Sequence, residues 1–576
     1  MARLMKYVEP YIGIVIVSII LLFGQAICDL ALPDYMSDIV NKGISNGDAM
    51  YIIKLGFQML GISLISAIFS IAVGFIASKV AAGISQSLRI DLFEKVEAFS
   101  NAEFDKFATS SLITRTTNDV TQIQTLIVML IRIIFYAPIL GIGGFIHALA
   151  NSKSMSWIIV LSIISLLGLI GTIFSLVMPK FKIVQSLIDK LNLVVRENLD
   201  GMLVIRAFNT QKFEEDRFDK ANKNLTDTNL FINRITSGMM PAMMLLMNLV
   251  TVLIVWVGAN QVSAFKMDVG EMMAYMQYVM QIIMAFLMMA MMFIMIPRAS
   301  VSANRIADVL ETEPSIKDSS PPSNNLKTST GLIEFKNVCF SYPGAEEDVL
   351  HNISFTAKPS QTTAFIGSTG SGKSSLINLI PRFYDATSGE VLIDGINVST
   401  LSLHELRDNL GYVPQKGILF SGTIKSNVAY GGKNPSEDDI LRASKIAQAM
   451  EFIDSKPEKF ETSIAQGGNN VSGGQKQRLS IARALVKKPQ ICIFDDSFSA
   501  LDFKTDAALR KSLKEETGSS TVLLVAQRIS TIMTADQIIV LDKGHIVGCG
   551  THEELMKTCE VYQEIALSQL SKEELE

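Results

Sequence analysis

What the sequence lacks narrows it first. In the first half of the chain, long stretches carry no charge: Tyr11 to Cys28, Leu55 to Ser78, Met155 to Pro179, Ile235 to Ala264 and Met272 to Pro297 contain no Asp, Glu, Lys or Arg. Each run meets or approaches the ~20 residues that cross a bilayer core. Cysteine is scarce, and the five present (Cys28, Cys339, Cys492, Cys549 and Cys559) have no CxxC or other metal-ligand spacing. That pattern argues for reduced packing thiols and against a structural zinc site. Long basic runs are missing as well, and the formal net charge is only −5, so nucleic acid is not an expected partner. With 49% hydrophobic and 19% charged residues, the chain is too apolar for an ordinary soluble enzyme.

The runs that are present predict a membrane domain over 1–310, and a linker over 311–331 separates it from a second domain over 332–576. A sixth span is expected from about Thr121 to Ala150, interrupted by Arg132. No small-residue cleavage site follows the first run, so it reads as a retained span and not as a signal peptide. Six spans would put both ends of the membrane domain on one side, the side of the second domain, and an ATP-binding reading of that domain would make it the cytoplasm. Between spans, Leu88, Leu92, Phe93, Val96 and Phe99 keep helical spacing, as do Leu187, Leu191, Val194, Val195 and Leu199, so the helices should continue well past the bilayer. Packing on neighbouring helices accounts for most of these positions. The tips near Ala102 to Ser110 and Thr210 to Phe218 are left to touch a second domain. The linker is rich in Ser, Pro, Asn and Thr and includes Pro321 and Pro322.

The second half carries the chemistry. Gly367-Ser368-Thr369-Gly370-Ser371-Gly372-Lys373-Ser374 is a complete GxxxxGK[ST] loop between an expected strand, Thr363 to Ile366, and an expected helix, Ser375 to Ile380. Glycines let backbone N–H groups close around phosphates at a helix N-terminus, Lys373 adds a charge for the β- and γ-phosphates, and Ser374 offers a hydroxyl to Mg²⁺. Ile491 to Asp495 reads as an apolar strand that delivers a carboxylate toward the metal's water shell. An ordinary core strand with an acidic turn is the plain alternative, weakened by the phosphate loop upstream.

Between these elements lies Val471-Ser472-Gly473-Gly474-Gln475, which resembles the signature of ATP-binding cassette (ABC) transporters. The resemblance extends over essentially the whole chain and is closest to exporter-type half-transporters. It implies six membrane spans with long cytoplasmic helical extensions, an α/β P-loop nucleotide-binding domain, and ATP with Mg²⁺ as ligands. Tyr342 resembles the adenine-stacking aromatic. Gln415 resembles the Q-loop glutamine that reaches the metal with Ser374 and Asp495, and Ser499-Ala500-Leu501-Asp502 resembles the D-loop. Ser375 continues the phosphate loop, and Glu197 to Phe208, with Asp200 and Gly201, resembles the exporter's second internal loop.

The departures are as informative. Where the family has Glu after the Walker B aspartate, this chain has Asp496, and where it has His after the next strand, Thr521 to Ala526 leads to Gln527. One methylene fewer retracts the carboxylate by about 1.5 Å, and a misplacement of ~1 Å can cost on the order of 100-fold in rate. Glutamine donates a hydrogen bond but cannot carry an imidazolium charge. Gln466 also stands where such exporters usually have Glu, and Val471 where they usually have Leu. Family cassettes pair head to tail, so both losses would fall on the ATP held by this chain's Lys373, while its signature would serve a partner's ATP. The chain therefore resembles the degenerate-site subunit of heterodimeric multidrug exporters. The expected partner is a second half-transporter with the consensus Glu and His. An ATP-gated regulatory or channel-like protein, or an importer on the exporter fold, fits the same residues. For the transported compound, an amphipathic small molecule, lipid or peptide, two leads stand out. One is Arg132. The other is the set of sixteen methionines, of 28, between Met239 and Met295, which suit either interhelical packing or a promiscuous cavity.

Overall fold

The computed structural model describes residues 2–318, 329–499, 501–516, 518 and 520–570. The chain forms two compact units, one of Met1–Glu97 with Ser110–Thr312 and one of Ala98–Thr109 with Glu313–Glu576. The expected linker starts at the last residue of a helix that ends at Glu311, and its residues 319–328 lie outside the described residues.

The first unit is helical. Six of its runs are long and apolar enough to cross a membrane: Leu4–Ile44, Ala49–Glu97, Thr109–Asn151, Lys153–Asp200, Gln211–Ser263 and Val269–Glu311. At 1.5 Å per residue, runs of 41 to 53 residues are roughly 60–80 Å long, more than twice a bilayer core, so the helices extend far beyond it. Within and between them we define α1 (Ile12–Asp38), α2 (Ala49–Glu97), α3 (Asn101–Lys106), α4 (Val120–Met129), α5 (Tyr136–Asn151), α6 (Ser156–Asp200), α7 (Met202–Ala207), α8 (Gln211–Ser263) and α9 (Val269–Glu311). The α3 segment belongs to the second unit.

Two features of these helices were not expected from periodicity. The third run contains π-helical turns at Arg115–Asp119 and Leu130–Ile134, the second of which carries Arg132. Pro33 sits inside α1, where its missing N–H leaves the carbonyl of Asp29 without its usual helical donor. The Gln281 amide nitrogen donates to that carbonyl at 3.1 Å, and the Tyr278 hydroxyl donates to the next one, Leu30, at 2.9 Å. Side chains of α9 thus repair the proline defect in α1, as a membrane environment requires.

The amphipathic stripes are only partly covered. Leu88 and Leu92 are buried, but Phe93 is exposed; Val194 is buried, but Val195 and Leu199 are exposed. The second tip also lies earlier than spacing suggested. The chain breaks at Gly201, whose N–H bonds the Glu197 carbonyl at 2.8 Å, and again at Phe208 to Thr210, and α8 is already helical from Gln211.

The second unit is α/β. One sheet is six-stranded, built from β3 (Thr362–Gly367), β5 (Leu410–Val413), β6 (Ile491–Asp495), β7 (Thr521–Val525), β8 (Gln537–Asp542) and β9 (His545–Gly550). Its order is β9-β8-β3-β7-β6-β5, with all neighbours parallel except β8 and β9. A four-stranded antiparallel sheet contains β1 (Ile333–Phe340), β2 (Leu350–Ala357), β4 (Ser388–Ile393) and Ile396–Asn397. Strands buried on both faces read as continuous apolar runs, which is why Ile491–Asp495 and Thr521–Val525 were legible as strands. Register places Asp495 opposite Val525, so the residues that follow each strand, Asp496 and Gln527 among them, emerge at one sheet end.

Candidate functional site

The phosphate loop follows β3 and runs into the short helix α10 (Lys373–Asn378). Gly370 and Gly372 have φ of 85° and 97°, a left-handed region open to glycine and strained for other residues. A Cβ on Gly367 would fall 2.1 Å from the Leu541 carbonyl oxygen. The loop therefore closes on itself, and the Lys373 ammonium donates to the carbonyls of Gly367 at 2.9 Å and Ser368 at 2.8 Å. Ser371 is buried beneath it, and Thr369 and Gly370 form the exposed crest.

The Ser374 hydroxyl donates to Asp495 Oδ1 at 2.9 Å, which joins the loop to the end of β6. Burial pushes the Asp495 carboxyl above its ordinary range, against the Ser374 hydrogen bond, and the neighbouring Asp496 adds to the rise. Burial also pushes Asp496 up and Lys373 down. Two buried carboxylates beside a hydroxyl and one lysine are a donor set short of positive charge, which fits a hydrated Mg²⁺ carrying a triphosphate. Tyr342 is half-buried, edge-on to Phe340 and Tyr384 with centroids 4.9 and 5.2 Å away, and its hydroxyl lies 2.8 Å from the Ser375 hydroxyl.

Asp496 adopts φ 45°, which a short Asp tolerates better than most side chains. Its Oδ2 accepts from the Gln527 amide at 2.7 Å and from the Gln415 amide at 3.2 Å. The resemblance places Gln415 on the metal and sets Asp496 and Gln527 at one chemical step. The structure makes the three one hydrogen-bonded group.

The signature lies elsewhere on the same unit. Ser472 caps the helix α11 (Gly473–Leu485): its hydroxyl accepts from the Gln475 N–H at 3.3 Å, and its own N–H donates to the Gln475 side chain at 3.0 Å. Ser472 and Gly473 are exposed, and Val471, Gly474 and Gln475 are half-buried. In the expected D-loop, Ser499 bonds the Asp496 carbonyl at 2.9 Å, Leu501 is buried, and Asp502 accepts from Thr505; Ala500 lies outside the described residues. Gln466 is exposed in a short 3₁₀ turn. In the membrane unit, Arg132 is exposed and no described residue pairs with it.

Sequence reasoning missed the way the 98–109 segment is held. Glu103 is buried and accepts from the Ser100 and Ser315 N–H groups, and Asp105 accepts from the Tyr384 hydroxyl at 3.1 Å. The tip near Ala102 to Ser110 is expected to touch a second domain, and the Ser100-x-x-Glu103 capping box marks its helix start, but the individual partners Ser315 and Tyr384 have no local signal.

Comparison with known proteins agrees with this layout. Residues 15–286 match the ABC transporter transmembrane region family, and residues 350–499 match the ABC transporter family. An uncharacterized ABC transporter ATP-binding protein of Mycobacterium tuberculosis is 40% identical, covering 99% of this chain and 98% of its own. An ATP-dependent lipid A-core flippase of Pseudomonas fluorescens is 32% identical over 96% of this chain and 94% of its own. A bacterial Atm1-family ABC exporter with ATP bound superimposes with a TM-score of 0.79 over 96% of this chain and 98% of that one, at 24% identity, which is a likeness of fold. A multi-pass membrane unit joined to an ATP-binding cassette unit, matched along nearly its whole length, makes this chain a member of the ABC transporter family, whose transport is driven by ATP.

Proposed function

We propose that the chain is the degenerate-site half of a heterodimeric exporter of amphipathic small molecules, lipids or peptides, with the cassette and both termini in the cytoplasm. One observation carries this reading. The carboxylate at the water-activating position, Asp496, is engaged by the amides of Gln527 and Gln415 instead of being free to polarise water. The phosphate loop is otherwise complete, so ATP binds at Lys373 and Ser374 with Mg²⁺ and holds two cassettes together. The magnesium ion shields phosphate charge when bound, and the chain's own residues position the triphosphate. The exposed Ser472 and Gly473 serve the ATP of the partner, whose Glu and His complete hydrolysis.

The tip of the second internal loop supports a two-chain assembly. Leu203, Val204 and Phe208 are 81%, 59% and 75% exposed, an apolar surface that a second cassette would cover. Arg132 supports an internal path, because a cation exposed along an apolar span needs a cavity or partner in place of lipid. The test is ATP turnover of the purified chain alone and with a similar half-transporter that carries the consensus Glu and His. Full-rate hydrolysis by the chain alone would overturn the reading. Transport into inverted vesicles by the pair fixes direction, and ion conductance without substrate movement would favour a channel.

A further inference from the structure

Two hydrogen bonds tie the last helix among the described residues to the turn that carries Gln527. This turn joins β7 to the four-residue helix α12 (Ile529–Ile532). So short a helix has little stability of its own, and its first N–H groups have no partner within it. Arg528 stands at the cap position with extended backbone, and its side chain makes no capping bond. The missing acceptor comes from 40 positions away. Gln569, the last residue of α13 (Glu560–Gln569), accepts from the Ile529 N–H at 2.8 Å through its side-chain oxygen. Its amide nitrogen donates to the Gln527 carbonyl at 2.8 Å. One planar amide therefore grips the backbone on both sides of Arg528, as a strand partner would.

Gln569 is exposed, but the helix that carries it is fixed. Ala566 and Tyr562, one and two turns before it on the same face, are fully buried in the core that also holds Ile529 and Ile532. The Tyr562 hydroxyl lies 2.7 Å from His552 Nδ1. On its other side the turn reaches the phosphate-loop end of the sheet. The Ala526 N–H donates to the Phe365 carbonyl at 3.2 Å, which sets Gln527 beside the strand that runs into the phosphate loop. The Gln527 amide gives one hydrogen to Asp496 and has a second to offer a phosphate. ATP has a terminal phosphate that ADP lacks, so the aim of this amide bears on one nucleotide and not on the other.

We propose that Gln569 is a positioning residue: by fixing the backbone at Gln527 and Ile529 it aims the Gln527 amide, and so sets the preference of this cassette for ATP over ADP. This rests on the reading of Lys373 and Ser374 as the nucleotide site, and not on the identity of the partner chain. The test measures binding of a non-hydrolysable ATP analogue and of ADP, each with Mg²⁺, to the full-length chain in detergent by calorimetry. Gln569→Ala is expected to weaken the ATP analogue about three- to ten-fold, the scale of one lost hydrogen bond, and to leave ADP within about two-fold. In a Gln527→Ala background the same substitution should change neither affinity, because the amide it positions is gone. A mere helix anchor would give the same loss in both backgrounds or weaken both nucleotides alike, and either result would overturn the proposal. So would a wild-type preference for ATP that Gln569→Ala leaves intact. Lys373→Ala separates the two readings: nucleotide binding that it leaves undiminished overturns the site assignment, whereas Lys373-dependent binding with no effect of Gln569 overturns the positioning role alone.

Discussion

The Gln527 amide nitrogen lies 2.7 Å from Asp496 Oδ2, so the residues that follow two neighbouring parallel strands are bonded to each other. A shortened carboxylate and a neutral amide in contact satisfy one another and hold Gln415 beside them. Changing one alone leaves the other without its partner. We expect Asp496→Glu or Gln527→His singly to give little gain in ATP turnover, and the double variant to raise turnover at this site by on the order of 10-fold or more, because misplacement of ~1 Å accounts for factors near 100. Steady-state turnover of the four proteins checks this; additive single effects would argue against the coupling.

In the proposed heterodimer, Asp496→Ala should barely alter turnover, whereas Ser472→Ala should lower it strongly. Loss of the helix cap alone costs about 1 kcal/mol. Ser472→Thr keeps the cap and separates the two effects: turnover near wild type with Thr and lost with Ala fits a hydroxyl that serves the partner's nucleotide.

Metal-dependent nucleotide affinity should fall on acidification earlier than a free aspartate would dictate. Burial raises the Asp495 carboxyl above its ordinary value of 3.8, so it takes up a proton at higher pH and gives up its charge for Mg²⁺ there. The sign for folding is consistent with this. A carboxylate with a raised folded pKa holds its proton more tightly when folded, so its contribution to stability falls as pH rises from the unfolded value through the folded one. Titration of Mg²⁺-dependent binding of a fluorescent ATP analogue should give a midpoint above 3.8; a midpoint at or below it would contradict the burial argument.

The membrane unit has its own buried ion pair. Asp119, in the π turn of the third run, accepts from Ser302 at 2.8 Å and lies 3.4 Å from the half-exposed Arg305 guanidinium. Removing one partner of a fully buried pair costs roughly 3–5 kcal/mol, and partial exposure of Arg305 reduces this to about 1–3. Asp119→Ala should lower the thermal midpoint of the purified chain measurably, and Ser302→Ala less.

Gly367→Ala should remove nucleotide binding more completely than Gly370→Ala. The first places a methyl 2.1 Å from the Leu541 carbonyl and forces the loop off β8. The second meets nothing within 4 Å and pays only the left-handed backbone penalty of about 1–2 kcal/mol. Nucleotide affinities of the two variants decide it.

Much of this was legible because it is local. The phosphate loop, the two buried strands and the capped signature helix announce themselves within a dozen residues, and the charge-free runs announce the spans. Contacts across the chain were not legible. Asp496 and Gln527 are 31 positions apart, and only the parallel pairing of β6 with β7 makes them neighbours. The second tip was misplaced because Gly201 and the Phe208 to Thr210 break interrupt a pattern whose periodicity continues on both sides.

The Ala98–Thr109 segment means that the nucleotide-binding unit is discontinuous in the chain. A fragment cut anywhere in the linker leaves twelve residues behind. Tyr384 then loses its Asp105 acceptor, and the surface under Ala102 is opened to water. During synthesis the same twelve residues emerge two hundred positions before the unit they complete, so that unit reaches its final form only when the membrane helices between are already made.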